Sequence, residues 1–451
     1  MQSYIFREYD IRGVVDRDLT DDVVRDIGRG FGTYVLRHGG KSISLGGDVR
    51  HSTERFRALI TEGALSVGVD VVDIGTVPTP VLYYSLYVLP VDGSIMITGS
   101  HNPPDMNGFK LNLGKDSVYG EEIQKIREII QNDDFEVGSG SVSSADVIEK
   151  YKDAVRERIK LDGPLKVVAD CGNGCASLVA VELLSDVGCE VIPLFCEPDG
   201  DFPNHHPDPT VLDYITDLIA AVKEHGADIG IGYDGDADRV GVVDENGDVV
   251  FADKMLALLA REVLAEGPAE IIFDVKCSQA LVEDIEAHGG TPVMWRTGHS
   301  HLKKKVSDSG APLGGEMSGH MVLASGYYNI DDAIYASCAI LQMLSRSDQS
   351  LSEMVATLPK YYSTPEIRGE ISDDATKFRM VEHAVEYFTA NYDVIDVDGV
   401  RILFGDGWGL VRASNTQPVI VMRFEARTEE RLAEIQEIVT SKLREFGDIR
   451  I

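Results

Sequence analysis

The sequence predicts an α/β protein: three similar α/β domains followed by a C-terminal α+β domain. Three observations carry that expectation, namely the length of the chain, a threefold internal repeat, and a change of pattern near its end. A chain of 451 residues is too long for one hydrophobic core, since single cores stop growing beyond about 250 residues.

The repeat is a β-α-β unit: an apolar strand ending in aspartate, a short loop, an amphipathic helix, a glycine-containing turn and another strand. It reads "SISLGGDVRHSTERFRALITEGALSVGVDVVDIG" from Ser42, "KVVADCGNGCASLVAVELLSDVGCEVIPLF" from Lys166 and "EIIFDVKCSQALVEDIEAHGGTPVMWRTG" from Glu270. Asp48, Asp170 and Asp274 hold equivalent places, and the turns "VGVDVV", "VGCEVI" and "HGGTPV" follow the helices. A spacing of roughly a hundred residues marks repeated domains, not a solenoid. From Glu366 the pattern changes to short strands around "DVDG" and "FGDGWG", the strand "VIVMRFEA", and the helical stretch "TEERLAEIQEIVTSKLREFG". The expected domains are residues 1–146, 147–251, 252–362 and 363–451. Their boundaries fall before "VIEKYKDAVRERI", after a hairpin turning at Asn246 and Gly247, and around "PKYYSTPEI".

Composition narrows the class of function. A formal charge of −33 opposes binding to nucleic acid or to an anionic membrane, both of which need basic surface. It also makes any arginine or lysine beside a glycine-rich loop a candidate for holding an anion. No apolar run approaches the roughly 20 residues of a membrane helix. The first residues, "MQSYIFREYDIRG", lack a basic region leading into an apolar stretch, so cytoplasm is the expected compartment. The six cysteines lack paired metal-type spacing, and Cys171 and Cys175 in "DCGNGC" read as small buried thiols.

Four loops carry chemistry, one per domain. In "MITGSHNPPDMNGFK" a lone hydroxyl, Ser100, ends an apolar strand and is followed by a loop stiffened by Pro103 and Pro104. A nucleophilic serine needs exposure, a route for its proton and electrostatic support, which His101 and Lys110 can supply; an ordinary turn is the alternative. In "GYDGDADRVGVV", Asp234, Asp236 and Asp238 alternate with small residues, so three carboxylates can converge on a hard cation such as magnesium or calcium. An EF-hand is rejected because Arg239 stands at its glycine position and a strand follows where a helix is required. A phosphatase with an aspartate nucleophile remains open, as does a solvated acidic turn.

In "GGEMSGH", Glu316, Ser318 and His320 alternate, so a strand-like loop would present all three on one side, suited to the vicinal hydroxyls of a sugar. Upstream, "RTGHSHLKKK" adds His299, with Lys303, Lys304 and Lys305 read as a solvated helix face. In "VRASNTQP", the donor fork of Arg412 joins Ser414, Asn415 and Thr416 in a turn closed by Pro418, a combination suited to a phosphate dianion. His205 and His206 in "FPNHHPDP" read as part of a packed loop between domains.

With these four loops in this order, the sequence resembles the α-D-phosphohexomutases, most closely the bacterial phosphomannomutase/phosphoglucomutase group. The match runs from "FREYDIRG" to "GWGLVRASNTQPVIVMRFEA" and so covers essentially the whole chain. The resemblance implies four domains with mixed sheets around a deep central cleft. It implies that Ser100 carries a phosphoryl group and that Asp234, Asp236 and Asp238 hold Mg2+ against it. The implied reaction interconverts hexose 1-phosphate and hexose 6-phosphate, of mannose, glucose or both. A 1,6-bisphosphate, glucose 1,6-bisphosphate or its mannose analogue, is both intermediate and activator.

The phosphate loop, Arg412, Ser414, Asn415 and Thr416, would anchor the phosphate that is not reacting, and Glu316, Ser318 and His320 would grip hydroxyls common to both sugar orientations. By resemblance, Tyr9, Arg12, Lys110, Arg239, Lys276 and His299 also line the cleft. Arg12, His101, Lys110 and His320 all stand as candidates for moving protons. Ala237 stands where the family often has glycine in the metal loop, and Gln417 where a second threonine is common. The methyl of Ala237 matters if that position needs a positive φ.

Phosphoglucosamine mutase is the rival within the family, and Met317 after Glu316, where that group usually has glutamine, speaks for glucose and mannose phosphates. A magnesium-dependent sugar-phosphate phosphatase and a non-catalytic binding protein are the readings from other classes. The expected partners are small hexose phosphates, with no nucleic acid and no membrane, for a monomer or small homo-oligomer.

Overall fold

The computed structural model describes residues 2–414 and 419–450. Four sheets follow one another along the chain, the first three sharing one plan. A strand ending at or just before the repeated aspartate lies at the centre, at Ser42–Gly47, Lys166–Asp170 and Glu270–Asp274. On one side it pairs in parallel with Asp70–Thr76, Glu190–Leu194 or Thr291–Trp295. On the other it pairs in parallel with Gly93–Ile97, Ile229–Tyr233 or Leu313–Gly315. Each of these last strands then turns back into an antiparallel neighbour, Met106–Leu113, Val240–Asp244 or Met321–Leu323. The sheets are therefore mixed.

This plan brings the candidate loops to equivalent strand ends. Gly47 registers with Ile97, Asp170 with Gly232, and Phe273 with Gly315, so the three turns that follow all leave the carboxyl ends of equivalent parallel strands. Those turns hold Ser100, the aspartates 234, 236 and 238, and Glu316. Ligand sites of α/β sheets collect outside such strand ends.

Packing welds the first three domains together. The helix Thr79–Val88, "TPVLYYSLYV", is apolar on nearly every face and almost wholly buried, as a helix between two layers must be. Its Val81, Leu82 and Tyr84 join a continuous core with Tyr151, Ile231, Leu256, Phe273 and Ile334 of the second and third domains. Each such side chain contributes about 1.5–3 kcal/mol through burial. By contrast the helices Asp21–Arg37, Thr53–Val67 and Glu121–Gln131 are amphipathic and cover the outer face of the first sheet.

The fourth domain has a six-stranded sheet, antiparallel in every pairing, with the helices Asp374–Asn391 and Glu429–Phe446 packed on its Met422, Phe424 and Val439 core. It docks on the third domain through a buried arginine. Arg401 donates to the carbonyls of Val275 (2.8 Å) and Cys277 (2.6 Å), and its guanidinium lies 3.7 Å from the Trp408 ring centroid.

Candidate active site

Ser100 is held by its own backbone and by two residues of the first repeat. Its φ of +47° is a left-handed conformation that costs a non-glycine residue roughly 1–2 kcal/mol. Asp48 Oδ2 accepts from Gly99 N (3.0 Å), and Thr98 Oγ1 accepts from Ser100 N (2.8 Å). Arg50 fills the centre of the turn, donating to the carbonyls of Ser100 (2.8 Å), Asn102 (2.5 Å), Pro103 (2.6 Å) and Met106 (2.9 Å). Gly99 is required there, because a Cβ would lie 2.4 Å from Arg50 Nε. So oriented, Ser100 Oγ donates to Asp234 Oδ2 (2.7 Å) and lies 3.1 Å from His101 Nδ1. Burial, then the charges of Arg239 and Arg12, push His101 well below the usual imidazole range, so it is neutral.

Asp234, Asp236 and Asp238 are fully buried, and one oxygen of each lies within 4.8 Å of the others. Asp234 Oδ1 accepts from the backbone N–H of Asp238 and of Arg239, both at 3.1 Å. Asp236 Oδ2 accepts from Thr79 Oγ1 (2.6 Å) and Lys110 Nζ (2.7 Å), and Lys110 also contacts Asp238. Burial opposes the charge on Lys110, but Asp236 and Asp238 outweigh it and hold the ammonium well above its usual range. Burial, then repulsion from Asp236 and Asp238, drives the Asp234 carboxyl well up. Asp236 Oδ1 has no hydrogen-bond partner among the described residues. An all-oxygen set with excess negative charge and an orphaned buried oxygen fits a hard divalent cation. Ala237 does occupy a positive φ, +62°, without displacing the three carboxylates.

Glu316, Ser318 and His320 meet, though by a different route from that expected. They lie in a tight turn between Leu313–Gly315 and Met321–Leu323, with Gly319 at φ +96°, and not in a strand-like loop. The turn folds Glu316 Oε2 (2.8 Å) and Ser318 Oγ (3.0 Å) onto the same atom, His320 Nδ1. His320 Nε2 lies 3.3 Å from Asp238 Oδ1. Burial opposes a charge on His320, but Asp238 and Glu316 raise it to about 9, so the ring is an imidazolium at neutral pH. The 3.4 Å approach of Arg239 Nε to Nε2 is therefore packing, since both ring nitrogens carry protons.

His299 packs its ring 5.4 Å from that of His320, with Nδ1 3.2 Å from Asp331 Oδ2. The expectation of a solvated lysine face fails at Lys303. This residue is buried, pairs with Asp331 Oδ1 at 2.7 Å and lies over the Tyr83 ring at 3.9 Å, because Asp331 enters from another segment.

Arg412 projects from the strand Gly407–Ala413, its Nε bonded to Asp398 Oδ2 at 2.9 Å. Lys276 Nζ lies 3.4 Å from Glu366 and 3.8 Å from Asp274. Arg412 and Lys276 are close enough for their like charges to oppose one another. Ser414 follows Arg412's strand, its carbonyl accepting from Lys377 Nζ at 2.6 Å; Asn415, Thr416, Gln417 and Pro418 lie outside the described residues. Tyr9 Oη donates to Thr297 O (2.7 Å), and Arg12 Nε to Asp10 (2.5 Å).

A direct line of contacts thus runs from Ser100 through Asp234 and its neighbours to His320 and Glu316, with Arg412 and Lys276 forming a second basic group. His205 and His206 bind Asp170 (3.0 Å) and the His101 carbonyl, packing the second domain against the serine turn. Cys171 is buried, and its thiol neighbour is Cys196 at 3.1 Å, not Cys175. Sequence reasoning missed Arg50, Thr79, Asp331 and Asp398. Only Arg50 had a signal, standing two residues after a repeated aspartate.

The chain matches the phosphoglucomutase/phosphomannomutase family along its length: alpha/beta/alpha domain I over residues 3–137, domain II over 148–247, domain III over 251–362, and the C-terminal domain over 366–442. It is 44% identical to the phosphomannomutase/phosphoglucomutase of Pseudomonas aeruginosa across 98% of this chain and 96% of that one. It is 42% identical to a phosphoglucomutase of Neisseria gonorrhoeae, across 96% and 95%. A crystal structure of a phosphoglucomutase/phosphomannomutase family protein from Burkholderia thailandensis covers the whole of both chains with a TM-score of 0.94 at 40% identity.

Proposed function

The chain belongs to the phosphoglucomutase/phosphomannomutase family and is an enzyme that moves a phosphoryl group within a hexose phosphate; from that premise we propose that Ser100 carries the group. The observation that supports this reading is the placement of Ser100 Oγ, 2.7 Å from Asp234 in a strained turn facing three carboxylates, with the side chain buried and not exposed as expected of a nucleophile. The substrates are glucose and mannose phosphates, in keeping with the names of the relatives and with Met317 in the sugar turn.

In the first half-reaction the phosphoserine P–O bond breaks and a P–O bond forms to the free hydroxyl of the sugar, which loses its proton as the freed Ser100 Oγ takes one up. The resulting 1,6-bisphosphate turns over in the cleft. Ser100 Oγ then attacks the other phosphate and loses its own proton, while that phosphate's P–O bond to the sugar breaks and the sugar oxygen takes up a proton, regenerating phosphoserine and releasing the isomeric hexose phosphate. Asp234 Oδ2, 2.7 Å from Ser100 Oγ, and His101, neutral and 3.1 Å from it, are the near acceptors for the serine proton. His320 presents its Nε2 proton to the carboxylates beside Ser100, while Glu316 fixes the ring from Nδ1. Lys110, held charged, and Arg239 and Arg12 place positive charge where the transferring oxygens gather negative charge.

Asp234, Asp236, Asp238 and the Ser100 oxygen would hold Mg2+, which when bound neutralises charge on the transferring group. Arg412, with Ser414, Asn415, Thr416 and Lys276, holds the distant phosphate; Tyr9, His299, Glu316 and Ser318 hold the ring. Among the described residues no helix is long and apolar enough to cross a membrane, and six free cysteines are in keeping with a cytoplasmic site of action.

The test is the intact mass of the protein before and after incubation with glucose 1,6-bisphosphate and magnesium, with phosphopeptide mapping. One phosphoryl group on Ser100, absent from Ser100→Ala, is expected. Full turnover by Ser100→Ala would overturn the reading.

A further inference from the structure

We propose that Asp398 is a positioning residue that aims Arg412 at the non-reacting phosphate and, through the same carboxylate oxygen, ties the fourth domain to the sugar-binding domain. The inference rests on the mutase reading. Asp398 lies in the loop between the strands Asp393–Ile395 and Val400–Leu403. Its Oδ2 accepts from Arg412 Nε at 2.9 Å and from the backbone N–H of Thr297 at 3.0 Å. Beside it, Arg296 Nε donates to Val397 O at 3.2 Å.

Thr297 is where three domains meet. Its N–H is held by Asp398 of the fourth domain, its carbonyl by Tyr9 Oη of the first at 2.7 Å, and the next N–H, of Gly298, by Glu316 of the sugar turn. The contact is built closely. Gly399 has φ +70°, and a Cβ there would lie 2.3 Å from Val411 O and 2.8 Å from Arg412 Cα, so the loop presses directly on the strand that carries Arg412.

The chemistry of the reaction explains why one carboxylate should do both jobs. A free arginine side chain samples many rotamers, and an anionic partner on its Nε edge removes that freedom before substrate arrives. The distant phosphate is gripped in both sugar orientations, so a residue that orients Arg412 must serve hexose 1-phosphate and hexose 6-phosphate alike. Because the bisphosphate turns over between the half-reactions, the tie to Thr297 also governs how often it escapes.

The experiment compares Asp398→Asn and Asp398→Ala with wild type. Asparagine keeps an acceptor for Thr297 N–H but loses the charge opposite Arg412; alanine loses both. For Asp398→Asn, KM for both glucose 1-phosphate and glucose 6-phosphate is expected to rise on the order of tenfold with kcat changed much less, as for one lost charge-assisted bond. Release of 1,6-bisphosphate per turnover, read by phosphorus NMR, should rise most in Asp398→Ala and be partly rescued in Asp398→Asn. Wild-type KM and bisphosphate release in Asp398→Asn would overturn the proposal, as would a KM rise confined to one substrate. If the alanine variant does not fold, the asparagine variant decides alone. A wild-type protein without mutase turnover would overturn the mutase reading instead, and calorimetric binding of glucose 6-phosphate to wild type and Asp398→Asn would still decide the role of Asp398.

Discussion

Arg50 Nη2 donates to the Ser100 carbonyl at 2.8 Å from inside the turn that presents the serine, and Asp48 holds the same guanidinium at 3.1 Å. The Ser100 hydroxyl is thus aimed by a buried ion pair from the neighbouring strand end. Removing one partner strands the other charge in the interior, which costs about 3–5 kcal/mol. Arg50→Met is therefore expected to lower unfolding stability by that order and turnover by more than tenfold. Asp48→Asn combined with Arg50→Met should cost less than the two changes summed, read by urea unfolding in a double-mutant cycle. Simple additivity would show that the two residues do not act as a pair.

The repeated strand-helix-strand units and the first three of the four loops were legible because each depends on residues close in sequence: period-two apolar runs, aspartates alternating with small residues, glycine and proline in turns. That three of those loops are the same turn of the same repeat becomes visible only once Ile97, Gly232 and Gly315 take equivalent registers. Spacing misled where it assumed a backbone. Alternation of Glu316, Ser318 and His320 suggests a strand, yet a turn at Gly319 brings them together. Thr79, Asp331 and Asp398 were illegible for the converse reason. Their partners lie 157, 28 and 101 residues away, in Asp236, Lys303 and Thr297, and no local pattern encodes those meetings.

The crowded carboxylates predict a stabilising cation. Magnesium that binds only the folded chain stabilises it by about 2.7 kcal/mol at a free concentration a hundredfold above its Kd. Added magnesium should raise the unfolding temperature of the wild type and not of Asp236→Asn, and a chelator should stop turnover reversibly. A wild-type unfolding temperature indifferent to magnesium would count against the site.

Gly235 sets the distance between the first two domains. A Cβ on it would lie 2.4 Å from the Ser100 carbonyl, which Arg50 holds in place. Gly235→Ala must therefore push the aspartate turn away from Ser100 and lengthen the 2.7 Å contact with Asp234. Overpacking of this kind costs about 1–3 kcal/mol. Turnover should fall far more than stability, with magnesium affinity falling in parallel. Turnover close to wild type would mean that the two turns tolerate separation.

Glu366 makes the domain junction sensitive to acid. It lies 3.4 Å from Lys276 and 3.0 Å from Arg368, and although burial opposes its charge, these partners hold the carboxyl down at about 2 against an ordinary 4.5. A depressed folded pKa means that the unfolded chain binds the proton first. The contribution is complete above about pH 4.5 and is lost as pH falls toward 2. Glu366→Gln should therefore be less stable than wild type at pH 7 and should converge with it near pH 2. Urea unfolding of both proteins at intervals of pH reads this directly. A constant gap between the two curves would mean that the side chain acts through packing, not through its charge opposite Lys276.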